Sequence, residues 1–195
     1  AVPGEWYVDR FAPDAFESQI NFDGDNRLRV TLSPDDENPG NPFDENLLYQ
    51  GRAYETPGAI LVFADLYIDE AWLDDSLAAG PLASFDAIGT TPSAIATLFA
   101  SLQVFKTDQD ALQLRSFDSS NGTYSVLDDL TDSMGDWVTL EAALDGALVQ
   151  YSLDGTQLAS QSNAGTTVFP RIALNAFNAQ DGQGYEVHWD NIGYA

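Results

Sequence analysis

Apolar and polar residues alternate with a period of two along most of this chain. The pattern is sharpest near the end, where residues 137–144, 148–153, 168–178 and 185–194 form four such segments in succession. Asp145-Gly146 and Asp154-Gly155 punctuate them. Alternation broken by Asp-Gly pairs is the strongest short-range sign of antiparallel hairpins.

The same reading extends upstream. Residues 6–10, 16–22 and 27–32 read as strands, the last two joined by Asp23-Gly24-Asp25-Asn26, whose residues tolerate positive φ. Residues 33–46 form a polar loop with three prolines, a length that in a compact domain usually serves a function. Residues 47–54 read as a strand broken at Gly51, and 59–68 as a central one. Residues 70–78 are the one helical turn expected. Segments 82–88, 96–105, 111–117 and 123–127 complete the set. Many short strands with regular turns and almost no helix predict an all-β fold of two packed antiparallel sheets.

Composition fits this picture. Of 195 residues, 44% are hydrophobic and 12% aromatic, enough for one core, so a single sandwich domain spanning 1–195 is expected. Seven basic residues stand against 31 acidic ones, for a net charge of −24, and Lys106 is the only lysine. Phosphate recognition needs clustered Lys and Arg, which excludes nucleic acid as a partner. No apolar run reaches the ~18 residues of a membrane span, so no membrane insertion is expected. The acidity suits a self-repelling soluble surface, a halophilic adaptation to high salt, or calcium binding at several sites. Cysteine is absent, and a core of this size can dispense with disulfides. The chain opens Ala1-Val2-Pro3-Gly4, which suits a mature secreted product or a trimmed domain; a secreted bacterial or archaeal protein is the expectation.

The second half also carries a resemblance. A tryptophan strand precedes Leu144-Asp145-Gly146, a further strand precedes Leu153-Asp154-Gly155, and the last strand closes on Val187-His188-Trp189-Asp190-Asn191-Ile192. This order, over about residues 59–194, resembles the concanavalin A-like lectin/glucanase superfamily in its laminin-G-like bacterial branches. The resemblance implies a jelly roll of two antiparallel sheets, one concave. It covers lectins, glycan-binding modules, hydrolases and lyases, and the fold does not choose among them.

Four kinds of chemistry can be weighed on these residues. Retaining glucanases of the superfamily use Glu-x-Asp-x-x-Glu on one strand face, and neither Asp65-x-Tyr67-x-Asp69-Glu70 nor Glu141 reproduces it. For lyases the resemblance implies a Tyr and a His as acid and base, with Arg and Gln neutralising a uronate. Alternation turns Asp65 and Tyr67 away from a core lined by Ile60, Val62, Leu66 and Ile68, and treats Gln103, Arg115, Asn175 and His188 likewise. All six are expected to line one concave surface. On it Tyr67, His188, Arg115 and Gln103 would be the catalytic set, although the lyase motifs Arg-x-Glu-x-Arg and Gln-Ile-His are absent. The resemblance further implies a structural calcium where first and last strands meet, held by Asp190 with backbone oxygens near Asp9 or Gly24. For glycan binding, Trp72 leads the candidate stacking platforms, with Tyr49, Tyr67, Phe99, Phe177 and Tyr185, whereas Trp6, Trp137 and Trp189 look like core. Asn175, Asn178, Gln50 and Arg52 are candidate polar partners. The expectation is a noncatalytic module that binds a polysaccharide or other glycan, or mediates extracellular adhesion. A polysaccharide lyase comes second, and a structural protein of a biofilm or cell surface third.

Overall fold

A computed structural model of the chain describes residues 6–9, 12–33, 48–91, 96–119, 121–178 and 183–195. The strands, in chain order, are β1 (Tyr7–Val8), β2 (Ala15–Phe22), β3 (Asp25–Leu32), β4 (Leu48–Ala59), β5 (Leu61–Tyr67), β6 (Gly80–Thr90) and β7 (Ala96–Lys106). They continue with β8 (Leu112–Asp118), β9 (Thr123–Asp129), β10 (Trp137–Asp145), β11 (Leu148–Leu153), β12 (Thr156–Ser162), β13 (Val168–Asn178) and β14 (Tyr185–Tyr194). They make two antiparallel seven-stranded sheets, ordered β1-β4-β13-β6-β7-β8-β9 and β12-β11-β10-β5-β14-β3-β2. This is the two-sheet sandwich expected from the alternation, in the jelly-roll form that the resemblance implies. The last two strands do not add to an edge. β13 enters the first sheet between β4 and β6, and β14 enters the second between β5 and β3.

Several strands bury every second residue, as β3, β5 and β10 do. In β5, Val62, Ala64 and Leu66 are completely buried, while Leu61, Phe63, Asp65 and Tyr67 between them are only half-buried. Phe85, Leu102, Leu114 and Leu174 of the first sheet meet Val30, Leu140, Tyr151 and Trp189 of the second in one core. The hairpin turns use the residues that positive φ demands: Asp23 and Gly24 at +53° and +79°, Asp154 and Gly155 at +50° and +73°.

Three details depart from the sequence reading. The helical turn shrinks to a 3₁₀ turn over Glu70–Leu73, where Asp69 caps the backbone N–H of Ala71 at 2.9 Å. β12 is an additional strand, formed because the Asp154-Gly155 turn folds residues 156–162 back onto β11. Gly51 does not break its strand either. β4 runs through it in register with Asn175 on β13, and a Cβ at 51 would collide with the Asn175 side chain and the Leu174 carbonyl. Here the glycine serves a close approach, not a bulge. Of the polar loop, residues 34–46 lie outside the described residues.

Two polar anchors tie the loops to the sheets. Lys106 is buried, and its Nζ donates to the Asp74 and Leu77 carbonyls at 2.7 and 2.8 Å, with Asp110 at 3.8 Å. The Tyr185 hydroxyl donates to the Leu82 carbonyl at 2.6 Å and accepts from the Phe177 N–H at 2.9 Å. Burial pushes the Tyr185 phenol far above its usual range, so it remains a donor at any physiological pH.

The close approach at Gly51 can be tested directly. Gly51→Ala overpacks a buried backbone contact and should cost about 1–3 kcal/mol, lowering the melting temperature by roughly 2–4 °C per kcal/mol for a chain of this size. Unchanged thermal unfolding of the variant would refute the packing assignment.

Candidate functional site

The register of the first sheet builds a polar row across its outer face. Asn175 on β13 lies opposite Gly51 on one side and Ser84 on the other. Ser84 pairs with Gln103 on β7, and Gln103 with Arg115 on β8. Because facing residues in adjacent strands project to the same side, Asn175, Ser84, Gln103 and Arg115 share one surface. Their inward neighbours, among them Phe85, Leu102, Leu114 and Leu174, are core.

Polar residues on an outer sheet face are ordinarily solvated, but these are buried. Asn175 is 0% exposed, Ser84 1% and Gln103 4%. Asn175 Nδ2 donates to Asp86 Oδ2 at 2.7 Å, while among the described residues Asn175 Oδ1 and Ser84 Oγ have no hydrogen-bond partner. Two adjacent buried acceptor oxygens left open are exceptional in a folded chain, where such groups are nearly always paired. At the half-open end of the row, the Arg115 guanidinium carbon sits 3.5 Å from the centroid of the Phe105 ring. Arg115 Nη2 also donates to Gln113 Oε1 at 2.8 Å. Burial pulls the Arg115 pKa down, with the Tyr124 phenol acting in the opposite direction. The cation is fixed flat on an aromatic face, an arrangement that exposes directional N–H donors.

The other expected residues stand on the opposite side of the molecule. Asp65, Tyr67 and His188 belong to β5 and β14, and they project from the outer face of the second sheet. The single concave surface expected for all six residues is therefore corrected to two faces, one per sheet. Tyr67 and His188 do meet, with ring centroids 6.4 Å apart. Arg115 and Gln103 lie across the sandwich from them, so the four residues of the lyase set are not assembled.

The second face is closed on itself. Phe22 stacks on His188 with centroids 3.9 Å apart and planes at 14°, and contacts Tyr67 and Trp137 edge-on. Arg27 lies 5.0 Å over Trp137. Asp65 accepts from Thr139 Oγ1 at 2.6 Å and from Asn191 Nδ2 at 2.7 Å. Arg29 bridges Glu17 and Glu186. Burial pushes the Tyr67 phenol upward, with Asp69 acting in the same direction. The His188 pKa is lowered by burial, against the opposing effect of Glu186, whose carboxylate lies 3.6 Å from Nε2. Trp137, expected in the core, belongs to this outer cluster instead.

One further expectation is corrected. Trp72 is no ligand platform: it is 1% exposed, packed in the core, with Nε1 donating to the Glu186 carbonyl at 3.2 Å. One turn of 3₁₀ helix rotates it inward, where its large apolar area is best used. The residues assigned to calcium engage other groups of the protein. The Asp190 carboxylate is already bonded to the Arg27 guanidinium, which also holds Asp25 at 3.0 Å. Asp9 sits at the edge of the other sheet, its N–H on the Gly51 carbonyl, and Gly24 lies in the β2–β3 turn. Among the described residues no group of three or more acidic, His or Cys side chains could hold a metal ion. The side chains of Tyr49, Phe99 and Asn178 lie outside the described residues.

Sequence reasoning missed Asp86, Ser84 and Phe105. The period-2 rule points to all three, since Ser84 and Asp86 alternate with Ala83, Phe85 and Ala87, and Phe105 follows Gln103 by two on β7.

No protein-family model matches the sequence, and no curated protein matches it. Solved structures do. A Bacillus licheniformis β-glucanase superposes with a TM-score of 0.57 at 14% identity, covering 97% of this chain and 91% of that one. Alginate lyase vAL-1 from Chlorella virus gives 0.54 at 12%, covering 97% and 92%. A native glycosidic hydrolase gives 0.53 at 15%, covering 97% and 89%. The chain thus has the concanavalin A-like jelly-roll fold, the architecture shared by these glucanase and lyase structures.

The buried imidazole yields a pH prediction. With its pKa depressed by burial, His188 binds fewer protons in the folded than in the unfolded chain below about pH 6.5. Stability therefore falls as pH drops from 6.5 towards the folded-state pKa. Urea unfolding from pH 7.5 to 5 should show the wild type losing more stability than His188→Gln; equal losses would contradict the assignment.

Proposed function

We propose that the chain is an extracellular, noncatalytic carbohydrate-binding module whose site is the outer face of the first sheet. The observation that carries this reading is the polar row itself, above all the open acceptors Asn175 Oδ1 and Ser84 Oγ. Among the described residues neither finds a partner, and a sugar hydroxyl can donate to the amide oxygen and bond the Ser84 hydroxyl in either direction. Gln103 and the Arg115 guanidinium add donors, and an amide or guanidinium can engage vicinal hydroxyls bidentately. Phe105 and Phe117 supply half-buried aromatic surface beside them.

A binding role accords better with this face than turnover does. Retaining hydrolysis requires two carboxyl groups about 5–5.5 Å apart. The row itself carries no carboxylate, and Asp86, in the adjacent position, is committed to Asn175. A lyase would need its Tyr and His beside the Arg and Gln, and the sandwich separates them. The polysaccharide-active proteins of the same fold lend support from outside the chain, since the β-glucanase and the alginate lyase superpose over nearly its whole length.

Affinity electrophoresis and calorimetry against a panel of soluble β-glucans, galactans and alginate test this. At least one polymer should be retained by the wild type, and Gln103→Ala and Arg115→Ala should each weaken retention about tenfold or more. No reducing ends and no unsaturated product should accumulate. Absence of retention across the panel, or retention untouched by both variants, would overturn the reading.

A further inference from the structure

One end of the second sheet is split. Pairing of β14 with β3 stops at Trp189 opposite Leu28. Beyond it, β14 bulges between Asp190 and Gly193 as it continues along β5. β2 bulges between Glu17 and Ile20 as it continues along β3. The residues displaced by these bulges, Ser18, Gln19, Asn191 and Ile192, line an opening of about 860 Å³ that reaches inward to Leu28 and Trp189. That volume lies within the range of small-molecule sites.

The lining combines aromatic surface with unpaired donors. Trp6, Tyr54 and Tyr194 form a run of partly exposed rings, with successive centroids 5.5 and 6.4 Å apart. Trp6 Nε1, Trp189 Nε1 and Arg27 Nε all belong to lining residues, all are buried, and among the described residues none has an acceptor. Trp189 is itself fully buried. A buried N–H without a partner costs about 1–3 kcal/mol, and three on residues that line one cavity favour an occupant that supplies oxygen acceptors. Arg27 is already flanked by the carboxylates of Asp25 and Asp190. Little positive charge is left to attract an anion, and the chain's net charge of −24 opposes one. An amino sugar would set its ammonium donors against the three N–H groups.

We propose that this cleft is a second ligand site, separate from the row on the first sheet, and that it takes one uncharged sugar ring. The apolar face of the ring stacks on the Trp6–Tyr54–Tyr194 run, and its hydroxyl or acetamide oxygens accept from the indole and guanidinium N–H groups.

The four tryptophan indoles report on this directly. In ¹H–¹⁵N spectra of the intact chain, methyl β-glucopyranoside, methyl α-mannopyranoside and N-acetylglucosamine are titrated to ~50 mM, well past a millimolar Kd. At least one should shift the Trp6 and Trp189 indole signals saturably and leave Trp72 unmoved, because its N–H is held by the Glu186 carbonyl. Glucuronate and glucosamine should bind at least tenfold more weakly. Tyr194→Ser removes one exposed ring and Gln19→Phe fills the opening; each should weaken binding tenfold or more while the Trp72 signal confirms the fold. Gln103→Ala should leave these shifts intact even where it abolishes polymer retention. The proposal is overturned if no neutral sugar moves both indoles, if a charged sugar binds as well, or if Gln19→Phe has no effect.

Discussion

The register of β13 is the constraint on which the rest of the molecule depends. This strand is inserted between two others far away in sequence, and its alternate residues serve opposite purposes. Ile172, Leu174 and Ala176 fill the core, whereas Asn175 points outward to Asp86. A slip of one residue would turn the apolar set onto the polar row and drive Asn175 into the core, so the register is strongly specified. Two local devices secure it. Gly51 admits the Asn175 side chain only when the two residues face each other, and the Tyr185 hydroxyl grips β13 and β6 together where their pairing ends.

Local patterning made the architecture legible. Strand positions, hairpins and the inner residues of β5, β10 and β14 follow from alternation and turn chemistry. Alternation separates inside from outside but does not say which of two outsides a side chain takes. Gln103, Arg115 and Asn175 belong together because β7, β8 and β13 share a sheet; Asp65 and His188 are excluded because β5 and β14 share the other. That division rests on strand insertions spanning more than a hundred residues, which leave no local trace. The bulge in β2 illustrates the same limit. Phe16 and Phe22 should share a face, yet the irregularity between Glu17 and Ile20 sends Phe16 to the core and Phe22 over His188.

Charge is organised around scarcity of cations. Arg27 and Arg29 each join carboxylates from different strands: Asp25 with Asp190, and Glu17 with Glu186. Such partly exposed pairs contribute modestly one by one. Here they also offset like-charge repulsion where acidic residues of β2, β3 and β14 converge, so their value rises with the crowding they relieve.

Lys106, the sole lysine, is spent on carbonyl oxygens inside the fold, so no lysine ammonium is free at the surface. Side-chain cationic contacts with another molecule then fall to guanidinium groups, which are planar and directional where an ammonium is a compact point charge on a flexible stem. Encounters with acidic polymers would accordingly be selected by shape and orientation, and diffuse charge-driven sticking would play little part.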